Sequence, residues 1–319
     1  MNTSVTVERA AGPVPGGRKR GARGRPRRAW RAGMAPYLFL TPFACVFAGF
    51  LVVPLGYALY LSLFQTRLIG GRVFAGAANY EQAVHDPAFY AGLARMALFF
   101  LMQVPVMLGL ALIFALILDS GAVYIRRLFR LGFFLPYAIP SVVAALMWGY
   151  LYGPTFGPID QLANDLRLHA PDLLSTSAML PSIANVVTWE YTGYNMIILF
   201  AALQSVPAEL RDAAAVDGTG PLQFAFRVKV PLIRPALVLT TVFSIIGTLQ
   251  LFNEPQIMST LAPSVIGNSY TPNLYAYNLA FTNQQYEYSA AISFLLGAVV
   301  FAGSGAFMWS VSRRARRAS

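Results

Sequence analysis

Long apolar runs recur along this chain and are separated by shorter polar segments. The runs cover residues 35–64, 92–118, 132–152, 181–204, 232–253 and 289–311. About 18–20 apolar residues in a helix are enough to cross a bilayer core about 30 Å thick. The pattern therefore predicts an all-α, polytopic membrane protein with about six transmembrane helices. The first run is longer than one span needs, and its prolines predict a tilt or an interfacial turn.

The basic residues are distributed unevenly between alternate polar segments. Of 24 Lys and Arg residues, 20 lie in residues 1–31, 126–130, 211–234 and 313–317, whereas the intervening polar segments hold only three, and Arg95 lies in an apolar run. Because cytoplasmic loops are enriched in Lys and Arg, this asymmetry predicts that both termini lie in the cytoplasm. We expect a disordered basic cytoplasmic tail at 1–31, a transmembrane domain at 32–312 and a second cytoplasmic tail at 313–319.

Composition excludes several classes of function. Only 12% of the residues are charged, which is too few to cover a water-facing surface. The net charge of +11 resembles that of a nucleic-acid-binding protein, but the inner loops account for it, so no nucleic acid is expected. The single cysteine, Cys45, and the two histidines, His85 and His169, offer neither a metal site nor catalytic residues in the predicted spans. A Gly-rich ATP-binding loop is also lacking, so the chain is not expected to be an enzyme.

The polar segment at residues 204–234 predicts two short helices joined by a glycine break. Pro207 and Glu209 suit the start of the first helix, three alanines follow, and Gly218 and Gly220 end it before Pro221 begins the second. Small side chains let another protein approach the backbone closely, and the two aspartates of the segment can accept hydrogen bonds there. From composition alone, the segment is either such a docking elbow or an ordinary connection.

Residues 212–218 read Asp-Ala-Ala-Ala-Val-Asp-Gly and are followed by phenylalanines and Val-Pro. This stretch resembles the "EAA" loop of ABC importer permeases, with Asp212 where Glu is usual and Thr219 where Ala is usual. The resemblance covers about residues 35–312, including Ala-Asn-Tyr at 78–80, Phe-Arg and Leu-Pro within 129–136, and Leu-Gln-Ser-Val-Pro at 203–207. The chain looks like the first permease of the maltose-type carbohydrate group. It lacks that group's Gly-Gly-Pro after the fifth span, which leaves substrate choice open.

The resemblance implies a type I ABC importer permease fold in the bacterial cytoplasmic membrane. The implied partners are a second homologous permease, a nucleotide-binding ATPase dimer, an extracytoplasmic sugar-binding protein and membrane lipids. No cofactor is implied in this chain, because ATP and Mg would be bound by the partner ATPase. The coupling loop would span about residues 205–231, with the ATPase contacts at Asp212, Ala213, Ala214, Asp217 and Gly218.

Candidate substrate contacts lie in the fourth and fifth apolar runs. Sugars are held by hydrogen bonds to polar side chains and by stacking on aromatic rings. Polar and aromatic candidates in these runs are Glu190, Tyr191, Tyr194, Asn195, Gln250 and Asn253. The resemblance to the maltose-type permeases also implies sugar contacts at Glu190, Tyr191 and Tyr194, and it alone adds Thr248 and Leu251. Because an ionised acid within a bilayer is costly, Glu190 is expected to face a cavity or a partner subunit. The alternative for the polar residues is hydrogen bonding between helices.

Other transport functions stay open at this point. A secondary transporter or channel would need inverted repeats or a buried charge relay, and only Glu190 lies well inside a span. Within the resembled family, a glycerol-phosphate ester is the alternative to a sugar. The spans show no Lys or Arg pair for a phosphate, which favours a neutral sugar, most simply an oligosaccharide.

Overall fold

The computed structural model describes residues 27–67, 69–121, 123–153, 157–168 and 171–318. It divides into two units, residues 1–55 and residues 56–319. The N-terminal tail that the sequence predicts, residues 1–31, lies outside the described residues except for its last five positions. These already belong to a helix, because α1 begins at Arg27.

The first unit contains helix α1, Arg27–Phe47, a π-helical segment, Ala48–Val52, and the first residues of α2, Val53–Ser62. Pro54 has no backbone N–H to donate to the preceding turn, and such positions are where helices widen. The amide of Val53 accordingly donates to the carbonyl of Ala48, five residues earlier. Instead of the predicted interfacial turn, the structure shows a π-helical segment before Pro54, whereas Pro36 and Pro42 lie within α1.

The second unit starts with the rest of α2, continues into a small antiparallel hairpin and is otherwise mainly helical. Strands β1, Phe64–Arg67, and β2, Gly71–Phe74, pair with Phe64 opposite Phe74. The remaining helices are α3 Ala78–Val84, α4 Pro87–Ser120, α5 Arg126–Phe134, α6 Ser141–Leu151, α7 Pro158–Asp165, α8 Met179–Leu203, α9 Ala208–Val216, α10 Pro221–Phe224, α11 Val230–Leu232, α12 Arg234–Leu249, α13 Asn253–Leu261, α14 Pro272–Tyr277 and α15 Tyr286–Ala318.

Each of the six predicted apolar runs falls on helical structure. By length and composition, three helical stretches of the described residues can cross a membrane: Tyr37–Ser62, Pro87–Ser120 and Tyr286–Val311. Two bent pairs raise the number to five, Arg126–Ala138 with Ser141–Leu151 at 94°, and Pro221–Leu232 with Arg234–Leu249 at 67°. Prolines lie at both bends. The remaining run, the fourth, corresponds to α8, which has 25 residues but a polar middle that lowers its hydropathy.

The core of the second unit forms where α4 packs along α8. Towards one end, Met96 and Phe99 of α4 belong to the same buried cluster as Ile183 of α8. Towards the other end, Ala111 and Leu199 belong to a second cluster. This packing places α8 in the centre of the unit, with neighbours on several sides.

The approach of α5 to α8 depends on one glycine. A Cβ at Gly193 would overlap the backbone carbonyl of Phe133, so a larger residue would force the two helices apart. The close approach brings the aromatic residues that follow α5 next to the polar middle of α8.

Candidate substrate cavity and coupling loop

A cavity of about 260 Å³ lies between α4, α8, α12 and the start of α13. Its lining residues are Phe99, Gln103, Met107, Ser141, Val187, Tyr191, Tyr194, Asn195, Phe243, Ser244, Gly247, Thr248, Gln250, Leu251, Phe252, Asn253 and Glu254. The wall thus mixes aromatic rings, amides and hydroxyls. No Lys or Arg is found among these described lining residues.

The α8 wall is organised around two tyrosines. Tyr191 and Tyr194 are three positions apart, so they share one face of the helix. Tyr137 stacks on Tyr194 with 4.6 Å between ring centroids and meets Tyr191 edge-on at 5.7 Å. One turn beyond Tyr191, the side-chain amide of Asn195 donates to the Tyr191 carbonyl at 3.0 Å. These contacts hold the rings in fixed orientations beside the cavity.

A second part of the wall lies where α12 ends and the backbone turns into α13. Thr271 donates to the carbonyl of Leu251 at 3.2 Å, and Asn273 donates to the carbonyl of Leu249 at 3.2 Å. Carbonyls freed at a helix end need such partners. The side-chain amide of Asn253 donates to the Ser141 hydroxyl at 2.7 Å. The segment after α13 therefore fixes the backbone that presents the polar wall.

Seven of the eight candidate substrate residues line this one cavity, although they come from helices about 50 positions apart. Glu190 is the exception. It is 3% exposed and does not line the cavity, and its Oε2 has no hydrogen-bond partner among the described residues. The expectation that Glu190 faces a cavity is therefore not met by this one.

Sequence reasoning missed part of the lining. Phe99 and Met107 are apolar, and a single small hydroxyl such as that of Ser141 is common in membrane spans, so the sequence does not distinguish these three from ordinary span residues. Gln103 does carry one, because it is a buried amide in the middle of the second apolar run. Glu254, just beyond the fifth run, is buried and also lines the cavity.

The predicted helix–glycine–helix elbow is confirmed at residues 208–224. Helix α9 follows Pro207, and Gly220 is the N-cap of α10, whose first residue is Pro221. Gly218 has φ +68°, a left-handed conformation that glycine adopts without strain. Its amide donates to the Ala215 carbonyl, and the next amide donates to the carbonyl of residue 214, which closes the end of α9.

The elbow exposes its proposed contact residues. Asp212, Ala213, Asp217 and Gly218 are exposed, and Ala214 is half-buried. Two large apolar side chains stand out beside them, Val216 at 88% and Leu222 at 76% exposure. Exposed apolar residues among polar ones are typical of a surface that another protein covers.

The described residues contain no group of three or more His, Cys, Asp or Glu side chains that could hold a metal ion. Cys45 is exposed, and His85 shares a hydrogen bond with the Glu81 carbonyl. His169 lies outside the described residues.

Comparison with known proteins agrees with this architecture. Residues 73–317 match the family described as binding-protein-dependent transport system inner membrane component. The lactose transport system permease protein LacF of Rhizobium radiobacter is 33% identical over 82% of this chain and 88% of that protein. The arabinooligosaccharides transport system permease protein AraP of Bacillus subtilis is 29% identical over 83% and 85%.

Two solved structures share the fold. A bacterial ABC transporter involved in the import of the acidic polysaccharide alginate superposes with a TM-score of 0.78 at 19% identity, over 90% of this chain and 99% of that one. A bacterial alginate ABC transporter in complex with a periplasmic protein bound to alginate pentasaccharide gives 0.76 at 18% identity, over 89% and 96%. The chain therefore belongs to the family of inner membrane components of binding-protein-dependent transport systems, the integral, non-catalytic permease subunits of ABC importers.

Proposed function

We propose that this permease translocates a neutral oligosaccharide that an extracytoplasmic solute-binding protein delivers. The observation that carries the proposal is the cavity at α8 and α12, which Tyr191 and Tyr194 line together with Gln250 and Asn253. Tyrosine faces suit stacking on a sugar ring, and the amides suit its hydroxyls. The lack of Lys and Arg in this lining favours a neutral sugar over a phosphate ester.

The size of the cavity supports a shared translocation path. Its volume of about 260 Å³ is slightly below the range of about 300–1,000 Å³ that is usual for ligand cavities. A second homologous permease would supply the missing wall. The relatives named for lactose and for arabinooligosaccharides support a substrate of two or more sugar units.

The elbow at residues 208–224 is the part we assign to energy coupling. The distribution of basic residues supports a cytoplasmic position for this elbow. Its exposed Asp212, Ala213 and Asp217, beside exposed Val216 and Leu222, give a partner ATPase both hydrogen-bond acceptors and apolar area. That ATPase would bind ATP and Mg, and this chain would convert the movement of the elbow into movement of the attached helices.

The proposal is tested by uptake into proteoliposomes that contain this chain with its second permease and ATPase. The probes are radiolabelled lactose and arabinotriose, added with the cognate solute-binding protein. We expect Tyr194→Ala and Gln250→Ala each to raise the half-saturating sugar concentration about tenfold, since each removes one contact worth about 1.4 kcal/mol. Tyr150→Ala is the matched control, because Tyr150 is exposed and lies away from the cavity.

Asp212→Lys provides the coupling arm of the same experiment. It should abolish ATP-driven uptake while the chain still inserts into the membrane, because it reverses the charge on the proposed docking face. Unchanged half-saturation in both cavity variants would refute the substrate site. Uptake by this chain alone without ATP would instead identify a secondary transporter.

A further inference from the structure

Asp119 occupies a position in α4 that ordinarily disfavours a carboxylate. It lies in the last turn of the helix, where the backbone dipole presents its negative end. Its side chain is only 10% exposed. A poorly solvated negative charge at this place requires a strong partner, so the contacts of Asp119 are informative.

Both ends of the elbow segment meet at this one carboxylate. Asp119 Oδ2 forms an ion pair with the Nζ of Lys229, whose side chain is 14% exposed. Asp119 Oδ1 accepts a hydrogen bond from Nε2 of Gln204 at 2.6 Å. Gln204 follows α8 at the entry to the elbow, and Lys229 precedes α11 at its exit. A single side chain of α4 thus contacts the start and the end of a segment of about 25 residues.

Apolar packing does not fill the space between α4 and the elbow. A cavity of about 540 Å³ separates Ile113, Leu116 and Ile117 of α4 from the residues of α9 and α10, including Ala214 and Leu222. Because this cavity leaves part of the space without apolar packing, the polar contacts of Asp119 contribute to the attachment of the elbow to the span. The Lys229 ammonium also lies 5.3 Å from the centroid of the Phe224 ring, which restrains it further.

We propose that Asp119 is a positioning residue that ties both ends of the coupling elbow to the inner end of α4. A displacement of the elbow by the ATPase is then passed to α4 and α8 together, because both helix ends share the same carboxylate. Only the functional part of this inference rests on the proposed coupling role. The attachment itself stands on the contacts.

The attachment is tested by hydrogen–deuterium exchange of the full chain in lipid nanodiscs. We expect Asp119→Asn and Lys229→Met each to accelerate amide exchange about tenfold in peptides from residues 205–229, because local opening becomes easier. Exchange in α8 and α15 should stay at the wild-type rate. The double variant Asp119→Lys with Lys229→Asp should restore slow exchange, and Lys229→Arg should keep it. Arg72→Met is the matched control, since it removes a partly exposed ion pair with Glu287.

The functional arm measures the affinity of the purified partner ATPase for the same nanodiscs. Each single variant should weaken it about tenfold, and the charge-swapped variant should recover it. Unchanged exchange in the single variants, or faster exchange throughout the chain, would overturn the positioning role. A well-folded swap that does not restore slow exchange would overturn it as well. If the ATPase fails to bind the wild type, the proposed coupling function falls while the exchange result still decides the attachment.

Discussion

The two ends of α4 each carry an aspartate, and the two carboxylates are satisfied in opposite ways. Asp86 is the N-cap, where the helix itself favours a negative charge, and its partners are neutral donors. Asp119 lies in the last turn, where the helix disfavours a negative charge, and its main partner is a cation. Asp86, which we call the anchor, is stabilised by the helix N-terminus and by neutral donors. Asp119, which we call the attachment, depends on an oppositely charged partner.

The Asp86 end joins three helices. Its Oδ1 accepts the amide of Ala88 at 2.8 Å, and its Oδ2 accepts the hydroxyls of Tyr275 in α14 at 2.7 Å and Tyr288 in α15 at 2.6 Å. Burial and the nearby Asp86 carboxylate raise the pKa of Tyr275 to about 12, so that hydroxyl remains a donor at any physiological pH. Because these hydrogen bonds link α4 to two packed helices, we expect this end of α4 to keep a fixed position.

The Asp119 end suits a moving part. It connects α4 to an elbow whose side chains Val216 and Leu222 are exposed, and a cavity lies between the elbow and α4. An attachment made of two polar contacts can shift as a unit, whereas an interdigitated apolar core resists displacement. The difference suggests that α4 is fixed at one end and driven at the other during transport.

The largest effect that separates the two ends is expected for Asp86→Ala. The change removes the N-cap and leaves two part-buried tyrosine hydroxyls without their acceptor. The free energy of unfolding should fall by about 3 kcal/mol. Reversible unfolding of the purified chain in mixed micelles, titrated with a denaturing detergent, measures this. Exchange in residues 205–229 should not change, which distinguishes the anchor from the attachment.

Glu81→Ala is the control for this variant, because Glu81 is exposed and lies only five positions earlier. Its unfolding free energy should stay within about 0.5 kcal/mol of the wild type. A similar loss in both variants would mean that Asp86 contributes only general surface charge.

Local signals in the sequence were enough to predict the helices and the elbow. Apolar runs indicate the spans. Gly218 and Gly220 indicate the break in the polar segment at residues 204–234, because only a few residue types end a helix in that way. Five of the seven cavity residues could be named because polar and aromatic side chains are unusual within spans, whereas Thr248 and Leu251 were named from the family resemblance. The side-chain partners of Asp86 and Asp119 could not be predicted, since they are about 85 to 200 positions away and only tertiary packing brings them together.

Tyr275→Phe should give an intermediate effect. It removes one donor to Asp86 and preserves the ring, so the free energy of unfolding should fall by about 1.5 kcal/mol, as for a hydrogen bond to a charged group. Tyr286→Phe is the matched control, because Tyr286 is half-exposed and lies at the start of α15 beside the same region. The same detergent titration gives both values. If the free energy of unfolding falls by the same small amount in both phenylalanine variants, the Tyr275 hydroxyl does not stabilise the Asp86 site.

The smallest effect concerns acidification. Burial of Asp86 favours its neutral form, but the hydrogen bonds from Tyr288, Tyr275 and the first amides of α4 outweigh burial, so the pKa of Asp86 is lowered from its ordinary value of 3.8. A carboxyl whose folded pKa is lowered contributes stability above its unfolded pKa and loses that contribution as the pH falls through the folded pKa.

Wild type and Asp86→Asn should therefore differ in thermal unfolding midpoint by a constant amount above about pH 5, and the difference should shrink below about pH 4. The asparagine does not titrate, so the shrinkage reports Asp86 alone. Differential scanning fluorimetry of both chains in the same micelles gives the two curves. The thermal unfolding midpoint of Glu81→Gln should equal that of the wild type at every pH. A gap between wild type and Asp86→Asn that grows on acidification would mean that Asp86 is held in its neutral form, and the anchor would then depend on burial rather than on its donors.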